Sequence, residues 1–520
     1  MFEKYVNNRL VILYIIPFLI GSLTVLSFQP FNLTFVNFLI LPILFYLTVF
    51  IKKKSKSVYR KKPYKKNLFI LGTSFGFGFY LSNIHWIINS LTFDESFRIF
   101  IPLGLILIPL FLSLFFSVTI LILGSVLSQN FVSILIFSGS LAFSDFLRSK
   151  ILTGFPWNLW AYSFSWSPEI IQILNKLGLF AFNLILITIF TLPVILSFKI
   201  SLIRKFFTLS FLILIFLTFY IYGSHNININ KKNLEKNFET FNVKVVSPNF
   251  NLDYNISEDE IQKRLEKLIK YSEPENELKT LFIWPEGVFS GYSYKEIFFL
   301  KEIFAKNFNE NHFILFGINT SHEENNNYFN SMIIVNNRLE IIQEYKKQKL
   351  VPFGEFLPLQ SILNKFGLKK ITEGHGSFLK GQEQSNLKIE QLSILPLICY
   401  EIIFPELIQS SSNETNIIIN ISEDGWFGNS IGPHQHFIKG VYRAIENNSF
   451  LLRSANKGIS AIINNKGEIL KKLNSNEVGN IELEIPLIKT KNKNKNDLIF
   501  FSLLITYILI FYFYKKNNEN

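Results

Sequence analysis

The sequence has one cysteine, Cys399, among 520 residues. A lone cysteine cannot form an intrachain disulfide, so the chain is not a disulfide-stabilised secreted protein. Any role of this thiol is therefore chemical, structural or intermolecular. The sequence also lacks a repeat of fixed period, which argues against a solenoid. Acidic residues are the minority, because 39 Asp and Glu against 52 Lys and Arg give a formal charge of +13.

The positive charge is concentrated in one short segment. Nine of the fifteen residues at 52–66 are Lys or Arg, and apolar stretches lie on both sides. No nucleic-acid-binding motif surrounds them, so we interpret this segment as a cytoplasmic loop that follows the positive-inside rule. We therefore expect no nucleic-acid partner.

Phenylalanine is the residue in excess, with 57 copies. Residues 1–223 are dominated by Phe, Leu and Ile, whereas residues 224–496 have the composition of a globular protein. Crossing a bilayer as a helix takes about 20 apolar residues. Eight stretches are predicted to do so: 11–28, 33–51, 68–88, 100–127, 131–147, 171–198, 206–223 and 498–514.

The distribution of Lys and Arg predicts the orientation of these stretches. No small-residue cleavage site follows Phe28, so the first stretch is expected to be a retained span. The amino terminus and the segments 52–66, 199–205 and 515–516 carry the basic residues and are expected in the cytoplasm. With eight spans these assignments agree, and residues 224–497 lie on the opposite side of the membrane.

Two features of the membrane part have a structural and a functional interpretation. Gly72 and Gly76 form a small-xxx-small pattern, which predicts close helix packing, with a substrate groove as the alternative. The loop after the fifth stretch contains Trp157, Trp160 and Trp166. They are interpreted as interfacial anchors, with a lipid entry as the alternative.

Residues 241–490 are predicted to form a separate domain after an Asn- and Lys-rich linker at 224–240. The segment 257–271, with Ser257 as N-cap and acidic residues in its first turn, predicts an amphipathic helix. Further helices are predicted at 295–307 and 435–446. Strands that alternate with helices favour a layered α/β fold. Short β-branched runs predict strands at 243–246, 281–284, 313–316, 331–335, 394–399 and 417–421.

Three segments carry groups suited to covalent catalysis, and each follows a predicted strand, where α/β folds commonly place functional residues. Taken singly, Cys399 is typical of an inert buried thiol, Glu286 of a structural carboxylate and Lys347 of a solvated charge. A thiol with a pKa of about 8.5 needs a base or a positive neighbour to attack a carbonyl. Glu286 can supply the base, and Lys347 a cation that also stabilises an oxyanion.

These segments resemble the Glu-Lys-Cys triad of the nitrilase superfamily and, within it, the apolipoprotein N-acyltransferases. The resemblance covers nearly the whole chain. It implies a membrane bundle of about eight transmembrane helices, at 1–223 and 498–514, carrying a nitrilase-like αββα sandwich at 241–490. The similar segments are Gly154-Phe155-Pro156-Trp157, Trp284-Pro285-Glu286, Asn330-Ser331, 350–356, Cys399-Tyr400-Glu401, Ile421-Ser422 with Asp424, Trp426-Phe427-Gly428, 430–433, Gln435-His436-Phe437 and 451–454.

By position, the resemblance implies that Cys399 is the nucleophile, Glu286 the general base and Lys347 the oxyanion-stabilising cation. The spacing of the family motif selects Lys347 over Lys346 and Lys349. A purely structural carboxylate is the alternative for each glutamate. The remaining implied roles are support of the site by Glu355, Tyr400 and Glu401, and substrate binding by Trp157, Trp426 and Asn330.

Three positions depart from the family pattern. His434 stands where an aromatic residue is expected, Glu423 where Asn is expected and Gly425 where Ala is expected. None belongs to the triad, so they bear on substrate details rather than on the chemistry. His434 and His436 suggest a metal pair, but no third ligand has a suitable spacing, so neither a metal nor another cofactor is expected.

The resemblance implies transfer of an acyl chain from a membrane phospholipid, through a Cys399 thioester, to the α-amino group of the N-terminal diacylglyceryl-cysteine of apolipoproteins. It further implies a monomeric multi-pass protein of the bacterial inner membrane, with its catalytic domain in the periplasm. A membrane-tethered nitrilase-type amidohydrolase is the first alternative. A non-catalytic membrane scaffold is the second.

Overall fold

The computed structural model describes residues 8–55, 62, 64–236, 239–321, 327–358, 377–383, 386–409, 414–491 and 496–519. Much of the basic loop at 52–66, and the amino terminus with Lys4, lie outside these residues. Two compact units divide the chain. Met1–Asn226 and Asn494–Asn520 form a helical unit, and Ile227–Lys493 form an α/β unit.

The helical unit consists of apolar helices. Among the described residues, six helical segments are long and apolar enough to cross a bilayer: Thr34–Lys54, Glu95–Leu123, Phe131–Arg148, Leu179–Ser197, Leu202–Leu234 and Asp497–Asn517. The two other predicted spans correspond to the shorter apolar stretch Val11–Ser27 and to the helix Tyr64–Ile84. The unit is a helical membrane bundle, and the number of eight spans stays a prediction. Its α-helices are Ile16–Leu23, Asn37–Lys54, Tyr64–Ile84, Ile101–Leu123, Phe131–Arg148, Pro168–Ile171, Leu174–Leu177, Leu179–Thr191, Leu202–Leu234 and Asn496–Glu519.

Small residues let two of these helices approach closely. A Cβ atom at Gly72 would lie 2.6 Å from Cα of Ser117, and one at Gly76 would lie 2.8 Å from Cα of Ser113. Any side chain at either glycine would push the helices Tyr64–Ile84 and Ile101–Leu123 apart. The close packing predicted from the glycine spacing is confirmed.

A buried polar network holds the loop that contains Trp157. The Nη2 atom of Arg148 lies 2.8 Å from Oδ1 of Asp145, and both side chains are buried. Arg148 also donates to the carbonyl oxygen of Phe155. Asn183 donates to Oδ2 of Asp145 at 3.0 Å and accepts from the backbone N–H of Ala161 at 3.0 Å. The network thus fixes the chain on both sides of Trp157. Its two charged side chains are paired with each other, as is usual for ionisable residues of membrane helices.

The α/β unit contains two six-stranded sheets. Their orders are β13-β1-β2-β3-β4-β5 and β12-β11-β10-β9-β7-β6, and β8 pairs with β14 separately. The strands are β1 (Thr240–Ser247), β2 (Thr280–Ile283), β3 (His312–Ser321), β4 (Tyr328–Val335), β5 (Ile341–Lys346), β6 (Leu387–Ile389), β7 (Leu392–Ile398), β8 (Glu414–Thr415), β9 (Ile417–Glu423), β10 (Phe450–Asn456), β11 (Ser460–Ile463), β12 (Ile469–Leu473), β13 (Gly479–Pro486) and β14 (Thr490–Lys491).

Parallel strands form the centre of each sheet. β1, β2 and β3 are parallel, as are β7, β9 and β10, and antiparallel strands flank both groups. Central parallel strands are covered on both faces, which explains their nearly continuous apolar runs. Within each sheet, the carboxyl ends of these parallel strands meet at one edge.

Apolar side chains divide the unit into layers. One buried cluster combines residues of both sheets, among them Val243, Ile283, Ile394, Ile419 and Leu452, so the sheets pack face to face. A second cluster lies between the outer face of the first sheet and the helices Glu258–Ser272 and Lys301–Asn307. The helix Gly432–Asn447 packs on β10 of the second sheet, where its Gly440 faces Leu451. The unit is an αββα sandwich of the nitrilase type.

Sequence periodicity located the regular elements of this unit well. Each of the six predicted strands overlaps an observed strand. The predicted helix at 257–271 is observed at Glu258–Ser272, and the Ser257 hydroxyl accepts from the Glu260 backbone N–H at 3.3 Å. The segment predicted as one helix at 295–307 is a 3₁₀ turn, Glu296–Leu300, followed by the helix Lys301–Asn307.

The linker predicted at 224–240 is largely helical, because the helix Leu202–Leu234 extends into it. Ile227, Asn230 and Leu234 recur at helical spacing, and the first two are buried while Leu234 packs against the inter-sheet core. Asn230 and Asn465 exchange two side-chain hydrogen bonds of 2.9 Å. Tertiary contacts therefore order a segment whose composition is typical of a linker.

Candidate active site

Glu286 lies three residues after β2 and is held from both sheets. Its Oε1 atom accepts from the amide of Asn330 on β4 at 2.8 Å, and its Oε2 atom accepts from the backbone N–H of Glu423 on β9 at 3.0 Å. Gly317 on β3 makes room for it, because a Cβ there would lie 3.0 Å from Cα of Glu286. The carboxylate is thus fixed before any substrate arrives.

Lys347 directly follows β5 and is 1% exposed. Its ammonium lies 2.8 Å from Oε1 of Glu355 and 3.7 Å from Oε1 of Glu286. The amide of Asn330 donates to Glu355 at 2.6 Å, and the carbonyl of Asn330 accepts from the Lys347 backbone N–H at 2.9 Å. Asn330 therefore organises the two carboxylates around the lysine, and its predicted contact with substrate stays a prediction.

The two neighbouring lysines point elsewhere. The ammonium of Lys346 lies 4.4 Å from the ring centre of Phe329, and that of Lys349 lies 3.2 Å from Glu406. Among these three lysines, the structure thus brings Lys347 to Glu286, in agreement with the spacing argument from the sequence.

Cys399 directly follows β7 and has a backbone φ of +48°, in the left-handed region. A residue with a side chain adopts this conformation at a cost of roughly 1–3 kcal/mol, and such strain is concentrated at functional sites. The chain turns sharply here from β7 into the 3₁₀ segment Cys399–Ile403. The residue as a whole is partly exposed, whereas its thiol is buried within electrostatic reach of Glu286 and Lys347.

Burial and charge set the protonation of this cluster. Burial and the nearby Glu286 carboxylate raise the pKa of the Cys399 thiol, while Lys347 acts in the opposite direction. Burial alone would lower the pKa of Lys347, but Glu355 and Glu286 outweigh it and hold that pKa above its ordinary value. The resting site therefore contains a neutral thiol and a charged ammonium. A base must remove the thiol proton during attack.

Comparison with known proteins assigns this chain to a family. Residues 254–492 match the Carbon-nitrogen hydrolase family, and residues 20–192 match the Apolipoprotein N-acyltransferase N-terminal domain. The apolipoprotein N-acyltransferase of Rickettsia typhi is 34% identical over 514 residues, which cover 95% of this chain and 98% of that protein. The chain belongs to the apolipoprotein N-acyltransferase family. It is accordingly an acyltransferase and a multi-pass bacterial membrane protein.

Other relatives span the same length. The apolipoprotein N-acyltransferase of Rhodopseudomonas palustris is 29% identical over 487 residues, 91% of this chain and 89% of that protein. Among solved structures, a CN-hydrolase superfamily protein from Xanthomonas campestris is 15% identical and has a TM-score of 0.35, covering 48% of this chain and 91% of that one.

Glu401 ties the lysine loop to the cysteine loop in this N-acyltransferase. Its buried carboxylate accepts from the backbone N–H groups of Gln348 at 2.7 Å and Lys349 at 3.0 Å. It also accepts from the N–H of Ile398 at 2.8 Å and from the Tyr345 hydroxyl at 3.0 Å. One side chain thus fixes the segments that carry Lys347 and Cys399.

Replacing Glu401 by Gln is expected to destabilise the fold. The amide nitrogen cannot accept, so it leaves buried donors unsatisfied at roughly 1–3 kcal/mol each. Burial raises the pKa of Glu401 to about 7, so the wild-type group stabilises the fold fully below about pH 4.5, and this contribution is lost as the pH rises through about 7. Thermal unfolding of the purified full chain at pH 5 and pH 8 measures both effects.

The destabilisation by Glu401→Gln is expected to be larger at pH 5 than at pH 8. Glu302→Gln, at an exposed position, is the matched control and is expected to unfold like the wild type at both values. An equal destabilisation at the two pH values would show that Glu401 does not titrate as described.

A second buried cluster supports the strained cysteine. Nε2 of His436 lies 3.3 Å from the carbonyl oxygen of Cys399, and Nδ1 lies 2.9 Å from Oδ1 of Asp424. Arg453 lies 2.8 Å from Oδ2 of Asp424, and the Ser422 hydroxyl donates to Oδ1 at 2.6 Å. Burial alone would raise the pKa of Asp424, but Arg453 and His436 outweigh this effect and hold that pKa well below its ordinary value. His436 therefore connects the Asp424 cluster to the backbone of Cys399.

The remaining predicted site residues have different surroundings. Trp426 is partly buried, with its ring centre 6.4 Å from that of Tyr254. The Tyr400 ring packs edge-on against Phe404. Trp157 lies in the helical unit, where its buried ring stacks on Phe155 at 5.9 Å and contacts Trp86 at 4.7 Å. Contact of Trp157 or Trp426 with substrate stays a prediction.

Sequence reasoning missed Tyr254. Its phenol lies within electrostatic reach of Glu423, Glu286, Glu355 and Cys399, and burial with these charges raises its pKa well above the ordinary value. Tyr254 lies in the loop after β1, so the rule that placed functional residues after strands also applied to this segment. Tyrosine is neither charged nor strongly nucleophilic, so the residue type of Tyr254 did not single it out.

Proposed function

We propose that this acyltransferase moves an acyl chain from a membrane phospholipid to the α-amino group of the N-terminal diacylglyceryl-cysteine of an apolipoprotein, through a thioester on Cys399. The observation that carries the proposal is the convergence of the chain's one thiol with Glu286 and Lys347. A thiol placed between a carboxylate and an ammonium is suited to acyl transfer through a covalent intermediate.

In the first half-reaction, the Cys399 sulfur attacks the ester carbonyl carbon of the phospholipid while Glu286 takes the thiol proton. The negative charge on the carbonyl oxygen is stabilised by the Lys347 ammonium. When the tetrahedral intermediate collapses, the C–O bond breaks and the Glu286 proton goes to the leaving alcohol. The products are a lysophospholipid and the Cys399 thioester.

In the second half-reaction, the neutral α-amine of the acceptor attacks the thioester carbonyl carbon. Glu286 now takes a proton from the attacking nitrogen, and the C–S bond breaks as the amide forms. The proton returns to sulfur and regenerates the thiol. The same base serves both halves because in each the attacking atom must lose a proton as its bond to the carbonyl carbon forms.

The presence of membrane helices supports the proposal that both substrates are anchored in lipid. Donor and acceptor are both anchored in a bilayer, so a catalytic domain on the same membrane meets them at high effective concentration. We infer a monomeric protein of the bacterial inner membrane with the α/β unit on the periplasmic side. The orientation rests on the distribution of Lys and Arg in the sequence.

A transfer assay tests the proposal. The purified full chain in detergent is mixed with phosphatidylethanolamine carrying a labelled acyl chain and with a peptide that begins with diacylglyceryl-cysteine. We expect label in an amide on the peptide and one lysophospholipid for each amide formed. A peptide whose α-amine is acetylated is the matched control, and we expect it to remain unlabelled.

The assay also separates the alternative activity. A nitrilase-type amidohydrolase would cleave a small amide and leave the peptide unlabelled, because water rather than an amine would take the acyl group. Hydrolysis of a small amide without labelling of the free-amine peptide would therefore contradict the proposed function.

A further inference from the structure

Glu423 is a buried carboxyl beside the proposed base. It ends β9 and is 2% exposed. Its Oε1 atom accepts from the backbone N–H of Gly425 at 2.8 Å, and its Oε2 atom accepts from the amide of Asn456 at 2.7 Å. Its backbone N–H donates to Oε2 of Glu286 at 3.0 Å. The residue thus both holds Glu286 and places a second carboxyl next to it.

Two glycines make the space that this side chain occupies. A Cβ at Gly287 would lie 2.9 Å from Oε2 of Glu423, and a Cβ at Gly425 would lie 2.6 Å from its Oε1. Glu423 and Gly425 are two of the three positions at which the sequence departs from the family pattern. The distances connect them, because a methyl group at residue 425 would displace the Glu423 carboxyl from its present position.

Several titratable groups, from different elements of the fold, lie near Glu423. Glu286 lies on the β2 side, and Asp424 follows Glu423 itself. The Tyr254 phenol and the Arg264 guanidinium interact electrostatically with it from the loop after β1 and from the helix Glu258–Ser272. Lys457, after β10, lies beside Gly425, with its Cδ 3.3 Å from the Cβ position. Asp424 is paired with Arg453, and Glu286 lies 3.7 Å from the Lys347 ammonium. The Glu423 carboxyl instead accepts from the uncharged Asn456 amide and the Gly425 backbone N–H.

We propose that Glu423 is a positioning residue for Glu286 and that its ionisation makes Glu286 a stronger base in the acylation of Cys399. The proposal rests on the proposed function, since it assumes that Glu286 accepts the thiol proton. A negative neighbour favours protonation of Glu286. When Glu286 takes the thiol proton, its carboxylate loses its negative charge, and a negative charge forms on the substrate oxygen beside Lys347. This relieves the repulsion between Glu286 and ionised Glu423. Ionised Glu423 therefore accelerates this step.

The buried environment gives the effect a pH range. Burial raises the pKa of Glu423 to about 8, against the opposing hydrogen bonds of Asn456 and Gly425. The acylation rate is therefore expected to rise with pH near pH 8, as Glu423 becomes ionised. We expect this rise to be roughly 3- to 10-fold, a moderate strengthening of one general base.

Single-turnover acylation of the full chain by phosphatidylethanolamine with a labelled acyl chain, measured from pH 5 to pH 9.5, tests the proposal. The wild type is expected to show the rise near pH 8, and Glu423→Gln is expected to lack it. Identical pH dependence in the two proteins would overturn the role of Glu423 while leaving the proposed function intact. Labelling of Cys399→Ala at the wild-type rate would instead overturn the proposed function.

A double variant keeps the test decisive if Glu423→Gln does not fold. Gly425→Ala alone is expected to lower the unfolding temperature, because the methyl group meets the Glu423 carboxylate. Adding Glu423→Asn is expected to restore it and to remove the rise in rate near pH 8. Additive effects of the two substitutions on unfolding would contradict the packing argument, and a rise near pH 8 retained in the folded double variant would contradict the role of the carboxyl.

Discussion

Replacing Cys399 by alanine is expected to reduce acyl transfer by a factor on the order of 10⁴ to 10⁶, the size of effect that follows removal of a covalent nucleophile. No other side chain in the sequence carries a thiol. The fold is expected to survive, because the strained turn is held by the hydrogen bonds of Glu401 to Ile398 and of His436 to the residue 399 carbonyl. Initial rates of transfer to the diacylglyceryl peptide measure the loss.

Cys399→Ser is the companion variant, because it keeps the side-chain size and its polarity. We expect it to fold like the wild type and to remain inactive, since a hydroxyl is a much weaker nucleophile than a thiol at neutral pH. Transfer by Cys399→Ala above about one per cent of the wild-type rate would mean that the thiol is not the nucleophile.

Lys347→Met is expected to affect both the rate and the stability. It removes the cation that lies 2.8 Å from Glu355 and 3.7 Å from Glu286 and leaves both carboxylates without it. Breaking a buried ion pair by removing one partner costs roughly 3–5 kcal/mol. Loss of an oxyanion-stabilising group lowers the rate by a further factor of about 10² to 10³. Denaturant unfolding and single-turnover acylation measure the two effects separately.

Lys346→Met is the matched control, since its ammonium lies over the Phe329 ring and its side chain is partly exposed. We expect unfolding and acylation close to those of the wild type. If the effects were reversed, with Lys346→Met inactive and Lys347→Met active, the assignment of the cation within the lysine-rich segment would be wrong.

The positions of Glu286, Lys347 and Cys399 near strand ends follow a simple rule of α/β folds, which commonly place functional residues there. The rule does not bring Cys399 to the other two, because Cys399 follows a strand of the second sheet while Glu286 and Lys347 follow strands of the first. β-Branched runs located β2 and β7 closely, so two of the three segments could be placed from the sequence. Periodicity could not show which lysine of the third segment turns inward. That selection depended on motif spacing, and the structure now provides the contacts.

The parts that sequence reasoning could not supply depend on tertiary contacts. Asn330 bridges two carboxylates because β4 lies beside the lysine loop, and no local pattern signals this pairing. The left-handed conformation of Cys399 is likewise set by surrounding contacts rather than by residue type. Residues 227–234 are helical because Asn230 bonds to Asn465 and Leu234 packs against the inter-sheet core, although their composition is typical of a linker.

In the membrane part, too, some features could be predicted from the sequence and others depend on tertiary contacts. Hydropathy predicts where apolar helices lie, and the glycine spacing predicted the close contact of two of them. The pairing of Asp145 with Arg148 was not predicted, because it depends on further contacts of Arg148 with the loop after the helix and of Asp145 with Asn183. Hydropathy averages over such isolated polar residues.

The most direct test of the central claim is the mass of the peptide that contains Cys399 after the full chain has reacted with phosphatidylethanolamine in the absence of acceptor. We predict that this peptide gains one acyl group, that hydroxylamine removes it and that the chain's single reactive thiol disappears in equal amount. An acyl group on any other residue, or full thiol reactivity in protein that is transferring acyl chains, would contradict the account.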